Sequence, residues 1–297
     1  MNYVVLSNTL IGIGFLIMVA NTARFCYEFI AKRDVWYGLS REWKYFTIAM
    51  ALVLFAITVS YIFPSYIKGS KTYLGTILLI NSVLVFVFMQ WAINTVSLVK
   101  ERGKDVARLL MRYVDHTDQN LSGHSLHVHY LTLTLFDHLP VEMKMKINRE
   151  NLEFASLFHD LGKLSGVTEV TEKSGKLELN EWDKVKMHPE LSVKALEPLP
   201  SFERLEKWIM YHHERPDGLG YYKIPGDKVP LASRIIAVCD VYSAITMERS
   251  YKATFAYDDA IAELKQVSGT QLDPELVEIF CNIPKEEIEL CKEKATI

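Results

Sequence analysis

Cysteine is scarce and scattered. Cys26, Cys239, Cys281 and Cys291 are the full complement of four and form no CxxC pair, which argues against both a disulfide framework and a thiolate zinc site. The thiols read as reduced and structural, and Cys239, beside Asp240, reads as a small buried side chain of a helix. An excess of basic charge is also missing. Against 36 Asp and Glu stand 33 Lys and Arg, a formal net charge of -3 at pH 7 and a pI near 6.3. No positive field exists to track a nucleic-acid backbone, so long DNA or RNA is excluded as a partner, whereas a small phosphate ester is not. Alternating strand patterns are nearly absent. Histidine is missing from the first 115 residues, since all nine fall between His116 and His213.

Charge itself is lacking in three stretches. Tyr3 to Ala23, Tyr45 to Ile67 and Tyr73 to Val99 contain no Asp, Glu, Lys or Arg, and each reaches the roughly 20 helical residues that span a bilayer core. The first stretch lacks the basic start and small-residue cleavage site of a signal peptide. Arg24, Lys32, Arg33, Arg41 and Lys44 follow the first stretch, and Lys100, Arg102, Lys104, Arg108 and Arg112 follow the third, while only Lys68 and Lys71 mark the turn between the second and third. The positive-inside rule then places the N-terminus outside and the C-terminal part in the cytoplasm. Trp36, Trp43, Tyr45, Tyr66 and Tyr73 suit interfacial anchors. Asn21, Asn81, Gln90 and Asn94 suit hydrogen bonds between packed helices. The loops between stretches are too short for an external sensor domain.

Beyond the third stretch the pattern is helical, and the fold class expected is all-α: N-terminal transmembrane helices followed by a helical domain. The division expected is a membrane domain over 1–99, a juxtamembrane linker helix over 100–115 and a catalytic domain over 116–297. Val99, Val106, Leu109, Leu110, Tyr113 and Val114 fall at helical spacing, which fits either a dimeric signalling helix or a helix packed on its own domain. Helices are predicted over 121–138, 149–160, 180–197, 201–214, 230–247, 257–267 and 273–281. Asn151 and Asn180 stand where N-caps belong, Pro230 suits a helix start, and Asp273-Pro274 opens the last helix. Gly166 to Lys176 and Arg215 to Lys228 read as loops rich in Gly, Pro and charge.

Five separated pieces can carry chemistry. They are Gly123-His124-Ser125, His159-Asp160-Leu161-Gly162-Lys163, His188-Pro189-Glu190, His212-His213-Glu214, and Asp240 at the end of Arg234-Ile-Ile-Ala-Val-Cys-Asp. Imidazole nitrogens with two carboxylates suit Fe, Mn or Zn better than Ca or Mg. Any one of these histidines alone reads as a hydrogen-bonded core residue. The ordered series is what distinguishes them.

That series resembles the HD-GYP subgroup of the HD superfamily, from about Met111 to Phe280. Besides HDLGK it includes KSGKLELNEWDKVKMHPE, HHERPDGLGYY, VPLASRIIAVCDVYSAITMERSYK and GTQLDPELV, in family order. The resemblance implies a bacterial inner-membrane enzyme that hydrolyses cyclic di-GMP to linear pGpG and onward to GMP, using two divalent transition-metal ions, Fe or Mn. It implies that His124, His159, Asp160 and Asp240 hold one ion, and that His188, His212 and His213 hold the second with Asp160 bridging. Between two such cations a water becomes hydroxide near neutral pH and serves as nucleophile. Lys163 resembles the family lysine near the scissile phosphate. Asp217, Gly218, Gly220 and Tyr221 belong to the motif associated with substrate contact and with GGDEF cyclases as partners. A homodimer is implied as well.

The chain departs from the family at four positions. Asn120 replaces the glutamate that some members use for a third metal, so two metals are expected. His127 replaces the usual arginine, Ser243 the second aspartate of DxxDA, and Tyr222 the proline of GYP, which rigidifies the loop. These leave open a catalytically silent cyclic di-GMP receptor and a phosphohydrolase of another nucleotide. A mere interaction module would leave seven ligands in family order unexplained. His116, His129 and His138 match no ligand position and read as surface or packing residues.

Overall fold

The computed structural model describes residues 71–117, 123–164, 178–247 and 254–296, together with Ile13 and Ala20. Apart from Ile13 and Ala20, the first two uncharged stretches lie outside the described residues, as do Asn120 and the predicted loop from Gly166 to Lys176. Two compact units divide the chain, Met1–Gly103 and Lys104–Ile297. Among the described residues there is only helix and turn, apart from one isolated bridge between Ser268 and Leu272.

In chain order the helices are α1 (Lys71–Thr117), α2 (His124–His138), α3 (Val141–Lys144), α4 (Arg149–Phe158), α5 (Leu179–Val185), α6 (His188–Leu196), α7 (Glu206–Met210), α8 (Leu231–Thr246), α9 (Tyr257–Gln266), α10 (Pro274–Cys281) and α11 (Lys285–Thr296). Short 3-10 turns cover Leu161–Leu164, Pro200–Leu205 and Gly226–Lys228. The third uncharged stretch and the expected linker are one continuous helix, α1. Among the described residues no helix is long and apolar enough to cross a membrane. Gln90 donates to Asn94 at 3.2 Å within its own turn of α1.

In the second unit α2 packs on α4, α8, α10 and α11, and α8 packs on α7, α9 and α10. Leu126, Leu131 and Leu135 of α2 meet the core with Leu152 and Leu157 of α4, Ile209 of α7, Ile235 and Ile236 of α8, Leu264 of α9 and Phe280 of α10, all essentially inaccessible. This central pair, α2 and α8, carries a ligand candidate each. Apolar burial on this scale is the main force fixing their separation.

Helix ends differ from expectation where local chemistry competes. Asn148, not Asn151, caps α4, its side chain accepting the Asn151 N–H at 2.8 Å. Asn180 lies inside α5, whose start is closed instead by Glu181 accepting the Glu178 N–H at 2.7 Å. Asp273 does cap α10, accepting the N–H groups of Glu275 and Leu276 with Pro274 at the first turn. The single helix predicted over 180–197 breaks between Val185 and His188, because Pro189 lacks the N–H that would bond the Val185 carbonyl and its ring collides there. The span 201–214 begins as a 3-10 turn and its helix ends at Met210. Helix α11 was not predicted: its buried Ile288, Cys291 and Ala295 are too sparse among charges to announce an apolar face.

Candidate metal centre

His124 is the first residue of α2, His159 and Asp160 follow α4, His188 opens α6, His212 and His213 follow α7, and Asp240 lies within α8. These seven residues come together in two groups. In each, one ligand atom per residue lies within 4.8 Å of all the others: His124, His159, Asp160 and Asp240 in one, Asp160, His188, His212 and His213 in the other. Asp160 belongs to both.

Helix termini orient three of the imidazoles. His159 Nδ1 donates to the Ser156 carbonyl at 2.7 Å, His188 Nδ1 to Val185 at 2.7 Å and His212 Nδ1 to Ile209 at 2.6 Å. Each acceptor lies three residues back near a helix C-terminus, where carbonyls lack intrahelical partners. Val185 is the carbonyl that Pro189 leaves unbonded. A carbonyl only accepts, so Nδ1 carries the proton and Nε2 presents a lone pair to the centre.

The lone pairs meet further acceptors. His124 Nε2 is 3.1 Å from Asp240 Oδ1, His188 Nε2 is 3.2 Å from Asp160 Oδ1, and His188 and His212 Nε2 are 3.4 Å apart. His124 Nε2, His159 Nε2 and Asp160 Oδ1 are buried and make no hydrogen bond. Buried acceptors facing one another cost free energy unless a cation lies among them. The residues therefore fit metal ions, and the nitrogen-rich set fits transition metals.

Electrostatics favour the ligating form at four of these groups, while His159, against its burial, is pulled above the ordinary imidazole range by Asp160 and Asp240. Burial pushes Asp160 upward, but Lys163 and His159 hold it well below the ordinary carboxylate range; Asp240 is held down likewise, chiefly through His124. Burial holds His212 well below the ordinary imidazole range, and lowers His213 to about 3. Ionised carboxylates and neutral imidazoles are the forms that ligate. The Lys163 ammonium pairs with Asp160 Oδ2 at the edge of the centre.

Glu214, buried beside the His212-His213 pair, organises the following loop by accepting the N–H of Tyr222 at 2.6 Å and of Ile224 at 2.8 Å. Gly220 is required there, since a Cβ would sit 2.6 Å from the Glu214 Cα. Asp217 binds Arg215 and accepts the Leu219 N–H at 3.0 Å, and Gly218 turns the chain at φ +73°. Of the four loop residues singled out in the sequence, Tyr221 touches the centre: its ring is 4.6 Å from that of His213 and 6.2 Å from that of His188. His129 is buried and His138 lies at the surface, bonded to the Thr134 carbonyl at 3.0 Å. The side chain of His116 lies outside the described residues. Sequence reasoning gave no role to Glu214, whose only signal is a carboxylate directly after paired histidines, nor to Glu153, which is buried against Lys104 and Arg108.

Fold and site together define a helical domain built to hold metal ions between histidines and aspartates. Residues 108–276 match the family model described as HD domain, and the chain belongs to that family. Among its relatives, 3'3'-cGAMP-specific phosphodiesterase 3 of Vibrio cholerae is 33% identical over 165 residues, 55% of this chain and 35% of that protein. Cyclic di-GMP phosphodiesterase response regulator RpfG of Xanthomonas campestris is 29% identical over 202 residues, 67% of this chain and 52% of that protein. A cyclic di-GMP phosphodiesterase of Vibrio cholerae is 38% identical over 130 residues, 41% of this chain and 26% of that protein. The chain thus spans from about a quarter to about half of these relatives' length.

Proposed function

We propose that this chain is a metal-dependent phosphodiesterase of cyclic dinucleotides, with cyclic di-GMP as its substrate, opened to pGpG and cleaved onward to GMP. The observation that carries the reading is the sharing of Asp160 between two buried donor groups, the arrangement a two-cation hydrolytic centre requires. His124, His159, Asp160 and Asp240 would hold one ion, and Asp160, His188, His212 and His213 the other. Two such ions, Fe or Mn by the family resemblance, would supply Lewis acidity to phosphate oxygens and acidify water. The protein's own contribution is to aim the imidazoles, to keep His212 and His213 neutral and both carboxylates ionised, and to hold the Lys163 ammonium beside the phosphate oxygens on which charge develops. The Tyr221 ring beside His213 offers a face to a base or ribose.

A second reading, 3'3'-cGAMP as substrate, is favoured by the names of three relatives and by Tyr222 at the loop position where the resemblance expects proline. The third, a silent cyclic di-GMP receptor, rests on the same loop and Ser243.

The setting proposed is a bacterial inner membrane. Its support is in the sequence: three uncharged stretches, with the basic-rich segments after the first and third falling on one side, which puts the N-terminus outside and the centre in the cytoplasm. Membrane lipid is then a neighbour and GGDEF-type cyclases are proposed partners. A homodimer is supported by Val106, Leu109, Leu110 and Tyr113, which are 56%, 66%, 57% and 70% exposed along one side of α1; the mass of the detergent-solubilised protein checks it.

The decisive experiment purifies the full chain anaerobically, measures metal per chain and follows cyclic di-GMP and 3'3'-cGAMP by chromatography beside Asp160→Ala. About two metals and turnover in wild type alone support the reading. Bound metal with neither dinucleotide cleaved sinks it, and tight binding without cleavage then favours the receptor.

A further inference from the structure

His124 differs from the other oriented ligands, His188 at its own helix start included, in that its Nδ1 partner is not a carbonyl three residues back. It opens α2, and a helix N-terminus offers N–H donors, not free carbonyls. Its Nδ1 partner comes instead from another element: the hydroxyl of Ser243 on α8, at 2.8 Å. The same hydroxyl lies 3.0 Å from Nδ1 of His127, one turn along α2. All three side chains are buried.

A hydroxyl has one proton to give, and both of its bonded neighbours are imidazole nitrogens. If Ser243 donates to His124, the His124 proton is forced to Nε2, facing Asp240, and the ring cannot ligate. If Ser243 donates to His127, it accepts from His124 Nδ1–H, and the His124 Nε2 lone pair is free for a cation. His127 selects the second arrangement when its Nδ1 is the acceptor; burial holds the ring neutral, with a pKa near 3. In that arrangement the ring proton of His127 is on Nε2, which is buried without a hydrogen bond.

We propose that His127 and Ser243 are a matched pair of positioning residues that fix His124 as the Nδ1–H tautomer before metal arrives. Both positions depart from the family pattern, and they touch one hydroxyl: the two changes are one device. The proposal rests on the metal-centre reading above.

The test uses the full chain, metal-free and titrated with Mn2+, comparing wild type, His127→Leu, His127→Asn and Ser243→Ala. Leucine removes the acceptor but packs well, so His127→Leu should hold or gain thermal stability while one of two Mn2+ sites weakens about tenfold, as do sites that lose an orienting hydrogen bond. Asparagine keeps an acceptor near Nδ1 and should restore the affinity. Ser243→Ala should weaken the same site. Histidine 15N spectra of wild type should show His124 as Nδ1–H, and of His127→Leu a shift toward Nε2–H. Two Mn2+ sites of unchanged affinity in His127→Leu, or an Nε2–H signal for His124 in wild type, overturns the pairing and leaves the metal centre standing. No Mn2+ uptake by wild type overturns both.

Discussion

Glu214 Oε1 accepts the backbone N–H of Tyr222 at 2.6 Å, a bond that the proline expected at this position has no hydrogen to make. The loop beside the centre is therefore fastened through a buried carboxylate. Tyr222→Pro reduces unfolded-state freedom, a gain of at most about 1 kcal/mol. It also strips one donor from the carboxylate, a cost of about 1–3 kcal/mol. The variant should lower the urea midpoint, and Glu214→Gln should lower it further, because an amide NH2 must then face one of the two backbone N–H groups.

Glu153 is buried on α4 and binds Lys104 at 3.0 Å and Arg108 at 2.5 Å, both on α1. Burial pushes its carboxyl up, but Lys104, His129 and Arg108 bring it below the ordinary range. Removing both cations strands a buried charge, so Lys104→Met with Arg108→Met should cost about 3–5 kcal/mol. Adding Glu153→Leu should recover most of that loss. Thermal unfolding of the double and triple variants checks the asymmetry, and equal stability of the two refutes it.

The all-helical fold and the seven clustered side chains were legible because each ligand candidate sits in a short run of consecutive residues whose order is informative. What stayed hidden depends on contacts between distant runs. Nothing local to Ser243 shows that its hydroxyl meets His127, 116 residues earlier. The break at Lys186–Met187 was readable from Pro189, yet the amphipathic pattern on either side outweighed it. Helix α11 has too few apolar residues to be seen without the surface of α2 on which it packs.

His129 supplies a pH dependence. It is fully buried, and burial lowers its pKa from 6.5 to about 4, against the upward pull of Glu153. The unfolded chain therefore binds a proton below pH 6.5 that the folded chain does not. Its contribution is complete above pH 6.5 and is lost as pH falls toward 4, by roughly 3 kcal/mol at 1.36 kcal/mol per pH unit. His129→Gln should flatten the fall of the unfolding midpoint between pH 6.5 and 4. A variant with the wild-type slope would assign that slope to other groups.

Gly162 ties the two halves of the centre. It lies in the 3-10 turn directly after Asp160, its N–H donates to Ser192 Oγ at 2.7 Å, and that hydroxyl donates to the His159 carbonyl at 2.9 Å. A Cβ at 162 would lie 2.1 Å from the His188 carbonyl oxygen and 2.5 Å from the Ser192 nitrogen. Both are backbone atoms of α6, so no rotamer relieves the clash and the turn carrying Asp160 must move away from His188. Gly162→Ala should destabilise by about 3 kcal/mol or more and weaken Mn2+ binding at the group that pairs Asp160 with His188. Gly103→Ala is the control: nothing lies within 4 Å of its Cβ position in α1, and alanine there should gain up to about 1 kcal/mol. Mn2+ affinity unchanged in Gly162→Ala would mean that Asp160 reaches His188 without this close approach of backbone to backbone.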